Sequence, residues 1–377
     1  MELYLLLHSL LMHAIAALVI LVYIPICVPV KLLVRAFVKP RSKEDLRGKV
    51  VLITGASSGI GEHDMVSKTS CTCCIEPCMP SLCKRKREDY LELAYQYAKE
   101  GACLALVARR KQALKSVAAA ALKRGAPDVL VFPADVTDAE QSRRAVEETV
   151  AHFGRLNHLV ANAGIWSSCS FDQVTNITGF NKLMDVNFWG SVYPTYYALP
   201  HLKASRGKLV VSCSAAGTVA TSRMAFYNAS KAAQLRFYET LRTELGSEVG
   251  ITIITAGYVE SEITKGKGIQ KGGEVAVNEE ARDAQIGVFP VGRVETLCEI
   301  ALEGIRNGDW YVTWPSLYRP MQLIACLAPE VLTWISYAMY KQEAAKGSRP
   351  LGQRILEATG AKKLFPPSLL HPLVKTE

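Results

Sequence analysis

Hydrophobic and polar positions fall into three patterns along the chain. The first is a stretch of 28 residues, Leu3 to Val30, without a single Asp, Glu, Lys or Arg. As a straight helix it would measure about 42 Å, against a bilayer hydrocarbon core of about 30 Å. It is too long for the core of a cleaved signal and has no evident small-residue cleavage site, so it predicts a retained membrane anchor. Pro25 and Pro29 each remove a backbone donor. A single span and a proline-bent hairpin in one leaflet are both compatible with that. Lys31, Arg35, Lys39, Arg41 and Lys43 follow; this basic flank predicts a cytosolic face for what comes next and attraction to anionic headgroups.

In the second pattern, short apolar runs alternate with longer amphipathic stretches. Lys49–Ile53, Ala102–Val107, Leu130–Pro133, Leu159-Val160, Leu209–Val211, Ile251–Ile254 and Trp310–Trp314 read as strands. The third pattern begins at Pro315 and runs to Lys341. It is rich in Leu, Ile, Met, Tyr and Trp and is broken by Pro320 and Pro329. Neither piece reaches a spanning length. Both are expected to be interfacial or substrate-covering helices, or to pack on a second subunit. The last thirty residues read as a loose tail.

Composition narrows the classes. With 49% hydrophobic and 21% charged residues, the 377-residue chain is neither disordered nor of low complexity. The net charge of +9 suits an anionic membrane or a phosphorylated cofactor. No aromatic-basic platform supports nucleic-acid binding. Eleven cysteines cannot form a fully paired framework, and five of them lie within residues 71–83.

Those five belong to an interruption. His63 could join directly to Leu93 and give an unbroken amphipathic helix, yet 29 residues, Asp64 to Glu92, intervene. They include the basic run Lys84-Arg85-Lys86-Arg87. The cysteine spacing lacks the paired C-x-x-C of zinc sites, so no metal is expected. The segment is expected to be an extruded, disordered loop.

The chemistry-bearing residues lie around the strand ends. Gly55, Gly59 and Gly61 in Thr54-Gly-Ala-Ser-Ser-Gly-Ile-Gly61 follow the first strand. Glycines there let backbone N–H groups approach a pyrophosphate at a helix N-terminus. After the second strand come Arg109 and Arg110 with no acid. That suits the 2′-phosphate of NADP rather than the free hydroxyl of NAD. Asp135 and Val136 end the third strand, where adenine would lie, and Asn162-Ala163-Gly164 turn away from the fourth. Three Tyr-x-x-x-Lys pairs occur, at Tyr95, Tyr227 and Tyr337. Only Tyr227/Lys231 has a serine thirteen residues upstream, Ser214. The i, i+4 spacing puts phenol and ammonium on one helical face and predicts a lowered tyrosine pKa. The other two pairs read as surface or interfacial positions.

In order and spacing, Thr54–Gly61, Ala161–Gly164, Ser214, Tyr227 and Lys231 resemble the short-chain dehydrogenase/reductase family, over roughly residues 47–315 apart from the interruption. The resemblance implies an α/β fold, a doubly wound parallel (Rossmann) sheet, and hydride exchange with a nicotinamide cofactor. It implies Tyr227 as acid/base, Lys231 as its partner and ribose ligand, and Ser214 polarising the substrate oxygen. Asn187 matches a helix asparagine that supports a water-linked proton relay, or it simply caps or kinks its helix. Cofactor contacts are implied for Gly55, Ser57, Ser58, Gly59, Ile60, Gly61, Arg109, Arg110, Asp135, Val136, Asn162, Ala163, Gly164, Tyr227, Lys231, Val259 and Ser261. With the anchor (1–40) and the apolar extension (316–377), the chain is most similar to the plant 11-beta-hydroxysteroid-dehydrogenase-like group, the steroleosins. That similarity implies an NADP(H)-linked, homodimeric enzyme acting on a hydroxysteroid or sterol at a lipid-droplet or endoplasmic-reticulum surface. The interruption, one turn past the phosphate glycines, keeps an alternative open: a catalytically impaired splice product or a non-enzymatic lipid-droplet surface protein.

Overall fold

The computed structural model describes residues 43–56, 91–287, 289–340, 351–360, 365 and 369, with isolated positions between 14 and 30. Most of the expected anchor, the cofactor-site candidates Ser57, Ser58, Gly59, Ile60 and Gly61, and nearly all of the interruption lie outside these residues. Residues 1–44 and 45–377 are two separate compact units. Among the described residues no single helix is long and apolar enough to cross a membrane.

Within 45–377, seven parallel strands form one sheet: β1 (Val50–Thr54), β2 (Cys103–Ala108), β3 (Val129–Pro133), β4 (His158–Ala161), β5 (Lys208–Ser212), β6 (Gly250–Ile254) and β9 (Tyr311–Val312). Their order is β3-β2-β1-β4-β5-β6-β9. β7 (Lys267–Ile269) and β8 (Val275–Val277) make a separate antiparallel hairpin. The strands are short continuous apolar runs because both sheet faces are covered. Alternate residues serve opposite layers. Val51 and Ile53 pack with α1 (Leu91–Lys99), α2 (Lys111–Lys123) and α8 (Val294–Asn307). Val50 and Leu52 share the opposite core with α3 (Ala139–Phe153), α5 (Gly190–Ser205) and α6 (Ala225–Leu245). The order reverses between β1 and β4, opening a crevice beyond their carboxyl ends, the place where sheets of this class bind ligands.

Local chemistry sets several boundaries. Asp138 caps α3 by accepting from the Glu140 and Gln141 N–H groups, and Gly154 ends it in the left-handed region. α1 includes Leu91 and Glu92, so the last two residues of the interruption are helical. Glu92 is buried and accepts from Gln96 Nε2 at 2.7 Å, so it belongs to the helix. Tyr95 is likewise no surface residue. It is buried under the Arg124 guanidinium, 3.9 Å from the ring centroid, which separates it from any role like that of Tyr227.

The C-terminal region is more ordered than its sequence suggests. α9 (Tyr318–Leu327) and α10 (Pro329–Tyr340) form a bent pair, and α11 (Leu351–Thr359) lies beyond. Leu356, Phe365 and Leu369 are buried with Ile286 of α7 (Glu279–Ile286). The expected loose tail is therefore corrected: these apolar residues find a dry partner on α7, and their burial offsets the entropy of ordering.

Candidate active site

Asn187 shows how the chain builds this site. α4 (Asn181–Met184) continues through one π turn, Asp185–Trp189, into α5. A π turn adds a residue locally and re-aims a side chain. Here it directs Asn187 fully inward. Its Oδ1 accepts from Ile165 N at 2.8 Å, and its Nδ2 donates to Ile165 O and to Ser230 Oγ, both at 2.9 Å. Asn187 thus ties the turn after β4 to α6, rather than capping a helix.

On α6, Lys231 is buried. Its Nζ donates to Ser212 O at 3.0 Å and to Gln234 Oε1 at 2.9 Å. An ammonium has three donors, so one remains for a ligand oxygen. It faces Gly164: a side-chain carbon there would lie 3.7 Å from Nζ and 3.4 Å from Asn187 Oδ1. The missing side chain at Gly164 keeps that space open.

Ser214 follows β5. It accepts from Ala216 N at 3.1 Å and donates to Ala256 O at 3.3 Å, which holds its hydroxyl beside the Tyr227 phenol. Both residues line one cavity of about 80 Å³, together with Val259 and Ser261. Val259 O and Ser261 N are braced by Thr264 Oγ1, each at 2.8 Å. Apart from Thr221 and Thr264 the rest of the lining is apolar or phenolic and includes Met224, Tyr258, Phe289, Tyr318 and Tyr340. The Tyr318 ring lies where a side chain on Gly257 would project, so only glycine fits there.

The electrostatics correct one expectation. Burial pushes the Tyr227 phenol well above its ordinary pKa; the Ser214 hydrogen bond opposes that rise, and Cys213 and Tyr258 add to it. Burial also pushes the Lys231 ammonium down. The i, i+4 spacing does bring both groups into the site. However, removing a phenol and an ammonium from water penalises the charged form of each, and burial is the largest cause of both shifts.

The remaining predicted contacts lie along the crevice. Thr54 Oγ1 accepts from Asn162 N at 3.0 Å, and Asn162 Nδ2 donates to Thr54 O at 3.3 Å, which joins β1 to the Asn162-Ala163-Gly164 turn. Gly55 packs against Ala163. Arg109 is exposed after β2, with Nη1 4.0 Å from Asp135 Oδ2 at the end of β3. Arg110 is the N-cap residue of α2. Val136 is buried against Gly190. The open switch point, the free Lys231 donor and the glycine-lined wall fit a dinucleotide. Sequence reasoning missed Gln234 and Ser230, although each stands three residues along α6 from Lys231 or Tyr227 and so shares its face. It also missed Tyr258, Tyr318 and Tyr340, whose convergence is purely tertiary.

Comparison with known proteins agrees with this geometry. The model of the family described as short chain dehydrogenase matches residues 91–272. An 11-beta-hydroxysteroid dehydrogenase A of Arachis hypogaea is 46% identical over 336 residues, 89% of this chain and 88% of that protein. An 11-beta-hydroxysteroid dehydrogenase 1A of Arabidopsis thaliana is 42% identical, with the same shares covered. Among solved structures, a short chain dehydrogenase/reductase from Burkholderia phymatum in complex with NAD has a TM-score of 0.60 at 20% identity, covering 76% of this chain and 96% of that one. A short chain dehydrogenase from Burkholderia cenocepacia in complex with NADP has a TM-score of 0.57 at 20% identity, covering 78% and 99%. These two likenesses bear on the fold alone. The chain is therefore an oxidoreductase of the short-chain dehydrogenase/reductase family, related to the plant 11-beta-hydroxysteroid dehydrogenases.

Proposed function

We propose that this protein is a membrane-associated enzyme that interconverts an alcohol and a ketone on a hydroxysteroid or sterol-like molecule, using NADP(H). The observation that carries this reading is the convergence of Ser214 and Tyr227 in one largely apolar cavity, with Lys231 and Asn187 directly behind them. A bound nicotinamide supplies or accepts the hydride. The protein's part is to hold the substrate oxygen and move a proton. The Ser214 hydroxyl, which donates to Ala256 O at 3.3 Å, turns to donate to that oxygen instead, and Tyr227 gives up its phenolic proton in reduction or takes one in oxidation. The remaining Lys231 donor binds a ribose hydroxyl and keeps the cofactor beside Tyr227. Asn187 fixes the turn against which the cofactor lies.

Arg109 and Arg110 at the end of β2 support a preference for NADP, because a guanidinium recognises a phosphate through charge-assisted hydrogen bonds. Replacing both by Ala is expected to weaken NADPH binding about tenfold or more, the scale of a lost hydrogen bond to a charged group. NADH binding should stay unchanged. Separate fluorescence titrations of the two cofactors check this, and equal losses for both would remove the NADP assignment.

The membrane reading is supported by the apolar run from Leu3 to Val30 and by the exposure of Leu18, Leu21 and Ile26 within it. An apolar substrate would concentrate in the same phase. Turnover of a hydroxysteroid panel with NADP⁺, on the full chain and on a form lacking residues 64–92, tests the whole proposal. Cofactor binding only after the deletion would favour a surface protein with a disabled site. No turnover by either form would reject the proposed substrate class.

A further inference from the structure

The bent pair α9–α10 has two unlike faces. Inward, Tyr318, Met321 and Tyr340 form part of the cavity wall opposite Ser214 and Tyr227. Tyr340 donates its hydroxyl to Gln285 O at 2.9 Å, and Tyr258 uses the same carbonyl at 3.1 Å, so the pair is fastened to α7 from within. Outward, Leu323, Leu327, Val331, Trp334 and Tyr337 are exposed, Leu327 by 76% and Trp334 by 71%. From Tyr318 to Tyr340 the only charged side chains are Arg319 and Glu330.

A face of this kind is unusual on a soluble monomer. Two features select lipid as its occupant over a protein. The helices together are apolar enough for membrane entry, yet they meet at 119°, a geometry for lying in an interface rather than crossing it. Among the described residues of the pair only Arg319 and Glu330 are charged, sparse for the polar rim that surrounds a protein interface, while Trp334 and Tyr337 have the amphipathic rings that suit headgroup depth. The cavity adds a requirement. Its volume of about 80 Å³ is below the roughly 300–1,000 Å³ of ligand pockets, so a multi-ring substrate must displace part of the wall. The section built by α9–α10 has an outer side that is exposed and apolar.

We propose that α9–α10 is a second lipid-contacting element, additional to the N-terminal anchor, and that apolar substrate passes from the lipid phase between these helices into the cavity. The proposal rests on the oxidoreductase reading of that cavity.

The full chain in phosphatidylcholine vesicles tests it, because the first 44 residues contain no Trp and attachment through them is the same in every variant. Lipid brominated along the acyl chain is expected to quench the wild type more than Trp334→Phe. The double variant Leu323→Gln/Leu327→Gln should lose that quenching. It should also raise KM several-fold for a hydroxysteroid dissolved in the vesicles, with kcat and the KM for a small water-soluble alcohol unchanged. Equal quenching of wild type and Trp334→Phe would overturn the proposal. So would self-association that the double variant abolishes, which would assign the face to a second copy. Loss of all turnover in the wild type would instead count against the oxidoreductase reading and leave the quenching result intact.

Discussion

Replacing Tyr227 by Phe is expected to lower kcat by about 10²–10⁴-fold, the usual contribution of a positioned acid/base, while cofactor binding and thermal unfolding stay close to wild type. The substitution removes one oxygen from the ring. Tyr227 is packed with Trp166, Phe180, Leu183, Met224 and Ile269, and Phe keeps that packing. Steady-state turnover together with an NADPH titration checks this, and turnover within a few-fold of wild type would exclude Tyr227 as the proton donor. The same residue predicts a pH profile. Burial holds its pKa above the ordinary tyrosine value, so the protonated form dominates at neutral pH and below. Ketone reduction needs that form and should be flat across neutral pH. Alcohol oxidation needs the deprotonated form, so its kcat/KM should climb through the alkaline range, approaching tenfold per pH unit. A plateau of oxidation near neutrality would mean that the Lys231 and cofactor charges override burial once the site is filled.

That reversal marks where sequence reasoning stops. Ser214, on another element, joined Tyr227 and Lys231 through the family-like order of the motifs. Spacing placed those two together because the helix period is local. The strands were legible for the same reason: β1, β2 and β6 are apolar runs bounded by polar or glycine residues, and each lies within a residue of its expected place. Protonation equilibria depend on how much water is excluded, and that is set by residues far apart in the chain. Cys213, Tyr258 and Tyr340 approach Tyr227 or its cavity from three different elements, and no periodicity links them. Tyr95 makes the same point in reverse. Its lysine spacing equals that of Tyr227, yet the i, i+4 relation says nothing about which face of α1 turns toward Arg124 and the core. Likewise α11 mixes apolar and polar residues, and the position of α7 makes Leu356 a buried residue.

Gly55 gives the second large effect, and it concerns the backbone that carries the cofactor crevice. Its φ of +68° lies in the left-handed region, and a side-chain carbon there would stand 2.7 Å from Ala163 Cα and 2.9 Å from Ala163 N. Gly55→Ala therefore meets two separate penalties. The left-handed conformation costs a non-glycine residue about 1–2 kcal/mol, and overlap with a neighbouring backbone adds about 1–3 kcal/mol. β1 and the turn after β4 are also joined through Thr54 and Asn162, so the overlap cannot be relieved without parting the two strand ends. Stability is expected to fall by about 2–5 kcal/mol and Tm by roughly 5–15 °C, with NADPH binding lost in parallel as Asn162 and Gly164 shift. Gly154→Ala provides the control. Its φ of +75° carries the first penalty, but nothing lies within 4 Å of the added carbon, so about 1–2 kcal/mol is expected and cofactor binding should be retained. Equal destabilisation of the two variants in chemical unfolding would show that the approach of Gly55 to Ala163 is not a tight contact, and that the crevice wall yields where the geometry requires it to hold.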